Sequence, residues 1–186
     1  MITIDANQIK LAQDLLNGIK NGAEKAIATS INRTLVGLRV KLSSAIREKY
    51  FIKNKDLTQA IKLFTANRTQ LVGKVNSDGA RLPLIKFNVN PKTMKRVALV
   101  TAGVFRDGRK GLPGAFISQR KKTGEIGIFH RSSSSRYPIE QLYGPSIPQM
   151  MNQILLSSNE LQNYANDRFD RELDHEIMRL QKGYGK

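Results

Sequence analysis

The sequence predicts an α+β fold: N-terminal helices packed on a mostly antiparallel sheet, with a projecting hairpin and a long C-terminal helix. Three observations predict it. Apolar residues recur at intervals of three and four from Ala23 to Ile46 and again from Leu161 to Leu180, the period of an amphipathic helix. From Gln70 to Ile139 that period gives way to short β-rich runs punctuated by glycine, proline and asparagine. The links between these runs are shorter than a parallel crossover requires, so neighbouring strands are expected to be antiparallel.

Taken in order, Asp5 can cap a first helix reaching Lys20, with Ile9, Leu11, Ala12, Leu15, Leu16 and Ile19 on its apolar side. Asn21-Gly22 breaks it. The second helix is expected over 23–49, with Arg33, Arg39, Lys41 and Arg47 largely off its apolar stripe. Asn54 then opens a short helix over 55–62. Two short helices after a long one could suggest helix-turn-helix, but the pattern is short, lacks a convincing recognition helix and is followed by strand-like sequence. Strands are expected over 70–75, ending in the turn Asn76-Ser77-Asp78-Gly79, then over 81–87 and 95–101, with 88–93 as a loop and 106–111 as a glycine-basic turn.

The hairpin is the clearest β signal. Ala115–Gln119 and residues 125–131 flank Arg120-Lys121-Lys122-Thr123-Gly124, a loop whose length and glycine suit a hairpin. Phe116 and Ser118 share one strand face, and Ala115 and Ile117 the other, so both faces carry apolar groups. A serine loop (132–135) leads to an edge strand at 137–139. Gly144-Pro145-Ser146-Ile147-Pro148 then turns into a helix over 147–156, with Ser146 as its cap and Pro148 in its first turn. Asn159 caps the last helix, 160–181, whose outer face alternates in charge and suggests pairs such as Asp167–Arg171. Its length leaves a coiled coil open, with docking on the sheet favoured. The whole is expected to be one domain, 1–186, with a helical part (1–62), a β-rich part (69–140) and C-terminal helices (146–182).

Charge narrows the function. The chain has 31 Lys/Arg against 15 Asp/Glu, a net of +16. Residues 25–136 carry 24 of the basic residues and only 5 acidic ones, while both ends are close to neutral. A cationic middle attracts polyanions and speeds their encounter; an acidic protein partner satisfies the same field. With no cysteine, disulfides and thiolate zinc sites are excluded. No apolar run reaches the roughly 20 residues that span a bilayer, and Met1–Asp5 predicts no secretory leader.

No enzyme signature emerges. His130 lies beside Arg131 and four serines, but nucleophilic catalysis needs a base oriented by a third group. His175 lacks the second histidine four residues away that a zinc helix requires. The glycines at 103, 108, 111 and 114 form neither GxxxxGK[ST] nor GxGxxG. Acidic residues in the cationic middle are too scattered for a two-metal site. No catalytic residue, cofactor or metal is therefore assigned. What remains is surface: Arg106, Arg109 and Lys110 in one turn and Arg120, Lys121 and Lys122 at the hairpin tip are the expected contacts to DNA or a protein partner. Lys92, Lys95 and Arg96 lie in the turn before. If the tips gather at one end of the sheet, they form one cationic rim. With few aromatics and no tryptophan, a base-stacking platform is not expected. Gly144, Pro145 and Pro148 are assigned as a structural turn.

Several segments carry a family resemblance. They are Ile31-Asn32-Arg33-Thr34, residues 81–87, Ala115-Phe116-Ile117, Gly127-Ile128-Phe129-His130-Arg131, Pro138-Ile139, Leu142-Tyr143-Gly144-Pro145-Ser146-Ile147-Pro148-Gln149-Met150 and His175-Glu176-Ile177. In this order and spacing the chain resembles the minor tail protein Z, or tail-completion, proteins of lambda-like long-tailed phages and prophages. The resemblance spans nearly the whole chain, though 88–114 carries no matching motif. The resemblance implies a non-enzymatic virion structural protein acting late in tail assembly, at the end that joins the head. It implies other tail or neck proteins as partners, the phage DNA end as a further one, several copies arranged as an oligomer or ring, and assembly in the host cytoplasm without a membrane. The alternative kept beside it is a sequence-independent nucleic-acid-binding protein.

Overall fold

The computed structural model describes residues 14–16, 22–95, 97–120, 123–157 and 159–183. Helices α1 (Gly22–Lys49), α2 (Asn54–Ala60), α3 (Ile147–Ser157) and α4 (Glu160–Gln181) accompany eight strands. These are β1 (Ile61–Phe64), β2 (Lys74–Ser77), β3 (Asn88–Asn90), β4 (Val100–Gly103), β5 (Lys110–Leu112), β6 (Ala115–Gln119), β7 (Ile126–Arg131) and β8 (Ile139–Gln141). The fold is α+β and every strand pairing is antiparallel. The strands form three small sheets, ordered β1-β2, β3-β4-β5 and β6-β7-β8, where one sheet was expected.

The chain divides into two compact units. The first comprises Met1–Ser43, Ile61–Ser77 and Gln153–Lys186. Its core is a stripe of α1 (Ala23, Ala26, Ile27, Ile31, Leu35) meeting a stripe of α4 (Phe169, Leu173, Ile177, Leu180), with Leu16 and Ala66. Leu63 of β1 and Val75 of β2 pack on this cluster, so the two-stranded sheet adds to the seam between the helices. Fully burying one such aliphatic side chain is worth about 1.5–3 kcal/mol, so this seam dominates the unit's stability. Asn32 ties the loop after β1 to the helix: its amide donates to the Ala66 carbonyl at 2.9 Å and its oxygen accepts the Ala66 N–H at 2.7 Å.

The second unit, Ser44–Ala60 with Asp78–Asn152, holds the other two sheets. Its buried residues include Leu57, Phe87, Val89, Val100, Ile128 and Met150. In the hairpin, Phe116 faces Phe129 and Ile117 faces Ile128. Ile128 and Phe129 are both buried, which covers both faces of β7 as the alternation required.

Several boundaries differ from expectation. The short helix ends at Ala60, because residues 61–64 pair with 74–77 instead of continuing it. That pairing also moves the second strand from 70–75 to Lys74–Ser77 and draws Asn76 and Ser77 out of the turn. Residues 81–87 form a 3-10 turn at Leu84–Lys86, where the Leu84 N–H donates to the Leu142 carbonyl at 3.0 Å. Asn88–Asn90 is a strand, not a loop, the third run shortens to Val100–Gly103, and the edge strand is Ile139–Gln141. Asn159 makes no side-chain capping bond. Arg171 donates to the Asp167 backbone carbonyl at 3.0 Å, so the charge pair four residues apart on α4 is Arg168–Glu172, at 3.3 Å. Of the expected first helix only 14–16 are described; the rest lies outside the described residues.

Candidate functional site

The cationic loops of the second unit are built on strand ends. Strands β4 and β5 pair Val100 with Leu112 and Ala102 with Lys110, which leaves 104–109 as a connection carrying Arg106 and Arg109. This connection is fastened to the end of α1. The Phe51 N–H donates to the Val104 carbonyl at 2.9 Å, and the Arg106 N–H to the Lys49 carbonyl at 3.0 Å. Tyr50 and Phe105 pack with ring centroids 4.9 Å apart. Burial pushes the Tyr50 hydroxyl above its ordinary value, so the phenol stays neutral.

Each described arginine of the expected surface leans on a neutral oxygen. Arg106 Nε donates to the Arg47 carbonyl at 2.6 Å, with its guanidinium 5.0 Å from the Phe51 ring centre. Arg109 Nη2 donates to Asn88 Oδ1 at 2.8 Å, and Arg120 Nη2 to Gln141 Oε1 at 2.7 Å. Among the described residues none of the three makes an ion pair. Lys110 is exposed on β5. Lys121, Lys122 and Arg96 lie outside the described residues. Arg106, Arg109 and Lys110 thus share one connection and its strand, while Arg120 stands on the other three-stranded sheet. Arg47 and Lys49, whose carbonyls hold Arg106, join the first group; the sequence signal for them is their position in the last turn of a basic helix.

The first unit treats its arginines differently. Glu176, whose side chain is fully buried, sits 2.8 Å from Arg33 and 2.7 Å from Arg179. Arg33 also reaches Glu172 at 3.3 Å, and Glu172 pairs with Arg168. His175 is exposed beside this network. Here the positive charge is neutralised locally. The sign asymmetry is therefore structural: the second unit carries 17 Lys/Arg against 6 Asp/Glu, and its loop arginines keep their charge outward.

The turn into α3 is fixed by close packing. The Gly144 N–H donates to the Leu82 carbonyl at 2.8 Å, and a Cβ at 144 would stand 2.5 Å from the Phe87 ring. Pro145 follows, then a reciprocal cap: the Gln149 N–H donates to Ser146 Oγ at 3.3 Å and the Ser146 N–H to Gln149 Oε1 at 2.9 Å. Pro148 is the second residue of α3, where no intrahelical donor is needed. Replacing Ser146 by alanine is expected to cost about 1 kcal/mol, read as a lower urea midpoint with an unchanged slope.

Among the described residues no group of three or more His, Cys, Asp or Glu could hold a metal ion. An open hollow of about 340 Å³ between Asp56, Gln59, Arg81 and Lys86 is bridged by the Lys86–Asp56 ion pair at 2.8 Å. Among the described residues, no helix is long and apolar enough to cross a membrane. Over residues 9–182 the sequence matches the family described as prophage minor tail protein Z. No curated protein and no solved structure matches it.

Proposed function

This chain belongs to the prophage minor tail protein Z family, and from that premise we propose that it completes the tail at the end that joins the head. Membership makes it a structural component of a phage tail, with other tail proteins as partners. The finer reading is that its role is assembly without bond chemistry, in several copies, with the second unit turned toward the DNA end or an acidic neighbouring subunit. Arg106, Arg109, Lys110, Arg120, Lys121 and Lys122 would make that contact, and Gly144, Pro145 and Pro148 would hold the structural turn into α3. One observation carries this reading: three loop arginines are anchored to neutral oxygens and unneutralised by any described carboxylate. Arginines held this way stay available to an external anion.

The test is reversal of the hairpin tip, Arg120, Lys121 and Lys122 each to Glu, in a phage carrying this gene. Folding and tail formation should be retained while head–tail joining falls. Normal numbers of joined particles would show the tip to be a solvated turn. A second reading, a sequence-independent DNA-binding protein acting outside a virion, is favoured by the charge of the second unit. A binder neutralising about six phosphates loses roughly 10³-fold affinity between 50 and 200 mM salt. The isolated chain is expected to bind duplex more weakly than micromolar at physiological salt; submicromolar duplex binding would favour the second reading.

A further inference from the structure

The hairpin sheet has two unlike faces. Ile128 and Leu142 point to one of them, and the Phe87 ring lies against Gly144 on that same side, so this face closes on the core of the second unit. The opposite face is set by strand register. Phe116 is opposite Phe129, Ser118 opposite Gly127, and Gln141 opposite Phe129, with Arg120, Arg131 and Tyr143 two residues further along their strands.

Contacts across that outer face agree with the register. The Arg131 guanidinium lies 4.7 Å from the Phe116 ring centre, and the Phe116 and Phe129 rings are 6.2 Å apart. Gln141 Oε1 accepts from Arg120 at 2.7 Å and from the Tyr143 hydroxyl at 3.1 Å. Gly127 leaves a notch that the Phe129 ring and the Gln141 amide fill, which keeps the centre of the face low. Tyr143 is 41% exposed, and Arg120 and Arg131 are exposed as well. Glu125, also exposed, shares the Arg120 end, with Thr123 Oγ1 3.5 Å from its carboxylate.

Phe129 and Gly127 at the centre of the face are buried, so what it offers outward is Tyr143, Arg120 with Glu125 beside it, and the Arg131 guanidinium lying over Phe116. Arg120 lies opposite Glu125, yet its guanidinium reaches Gln141 while that of Arg131 lies over Phe116, and both of those partners are opposite Phe129, so the two cations lean toward the middle of the face. Although the sparse aromatics of the sequence led to no base-stacking platform being expected, we propose that this outer face binds single-stranded nucleic acid, with the two arginines on phosphates and bases packed on Tyr143 and on the Arg131 guanidinium. A guanidinium held over an aromatic ring keeps donors for phosphate and can itself pack against a base. A duplex has its base planes covered and would gain only the two charges. An acidic peptide would gain those charges and nothing from the rings. An unpaired strand gains both. The inference shares Arg120 with the proposed contact to the DNA end but concerns ligand chemistry, and it is tested on the isolated chain, apart from tail completion.

The experiment measures fluorescence anisotropy with labelled oligothymidine and with a duplex of equal phosphate number. Oligothymidine should bind more tightly than the duplex. Tyr143→Leu should weaken it about 10-fold, the loss of one base stack, and leave duplex binding unchanged. Tyr143→Phe should retain single-strand affinity, and Arg131→Gln should lose it, while Arg106→Gln should leave the preference for single strands intact. Should Tyr143→Leu not fold, photocross-linking of bromouridine-substituted oligonucleotide to the unaltered chain gives the same answer, with cross-links expected at Tyr143. Equal or tighter duplex binding would overturn the proposal. So would equal competition by polyglutamate of matched charge, or cross-links confined to 104–110.

Discussion

Replacing Arg33 and Arg179 together by alanine is expected to destabilise the protein by about 3 kcal/mol or more. Both arginines reach the fully buried carboxylate of Glu176, at 2.8 and 2.7 Å, and Arg179 adds a second bond at 3.0 Å. Removing both strands a charge in a site lined by Leu173, Ile177 and Leu180, where it has lost its compensation. The reverse change should be much milder. In Glu176→Leu the two guanidiniums, with side chains 42% and 33% exposed, can turn to water, and Arg33 retains Glu172. With a urea slope of about 1–3 kcal/mol per molar, the double alanine variant should lose roughly 1–3 M in midpoint, and Glu176→Leu a small fraction of that. Equal losses in the two variants would mean that the network does not compensate a buried charge. The single changes should not add up to the double, because each arginine partly covers for the other.

Gly144→Ala is the second large effect, expected at about 1–3 kcal/mol from overpacking. The new methyl would enter the space of the Phe87 ring, 2.5 and 2.9 Å from two of its carbons, and that ring is 3% exposed with little room to withdraw. Shortening the ring should restore the space: in Phe87→Leu the alanine at 144 should cost much less than in the parent. A coupling of about 0.5–3 kcal/mol is the expected scale for two side chains in direct contact. Thermal melts of the four proteins of this cycle would measure it. Strictly additive changes would remove Phe87 as the reason for a glycine there. Because 144 precedes the cap of α3, the strain should also loosen that helix start, seen as faster amide exchange at Gln149.

The long helices were legible because their apolar residues keep one period over many turns. Residues 23–49 and 160–181 read from the sequence as helices agree with α1 and α4 to within a residue. The hairpin was legible for a similar reason, with strong alternation and a short glycine loop. Ile61–Phe64 was not, since Leu57, Ala60 and Ile61 also fit a helical stripe and only the pairing with Lys74–Ser77 decides otherwise. Likewise residues 81–87 look like strand, but a partner at Leu142, far along the chain, bends them into a turn.

The cationic loops could be picked out from sequence, but not what holds them. The acceptors for Arg109 and Arg120 lie 21 residues away and that for Arg106 lies 59 away, beyond any local pattern. The buried acid was within reach. Glu176 is three residues after Leu173 and four before Leu180, on the apolar stripe of α4, and a carboxylate there required cationic partners from another element. Asn32 and Arg33, adjacent on α1, supply one such partner and one loop anchor, which gives physical content to the Asn-Arg and His-Glu motifs.

An arginine resting on a carbonyl or amide oxygen is already oriented before any collision, and meeting an anion breaks no existing ion pair. Capture by such a surface should therefore be limited by diffusion and steering, with little waiting for side chains to reorganise. Added salt should slow the arrival of a polyanion at Arg106, Arg109 and Arg120 far more than it hastens its departure, a difference that stopped-flow mixing across ionic strengths can resolve.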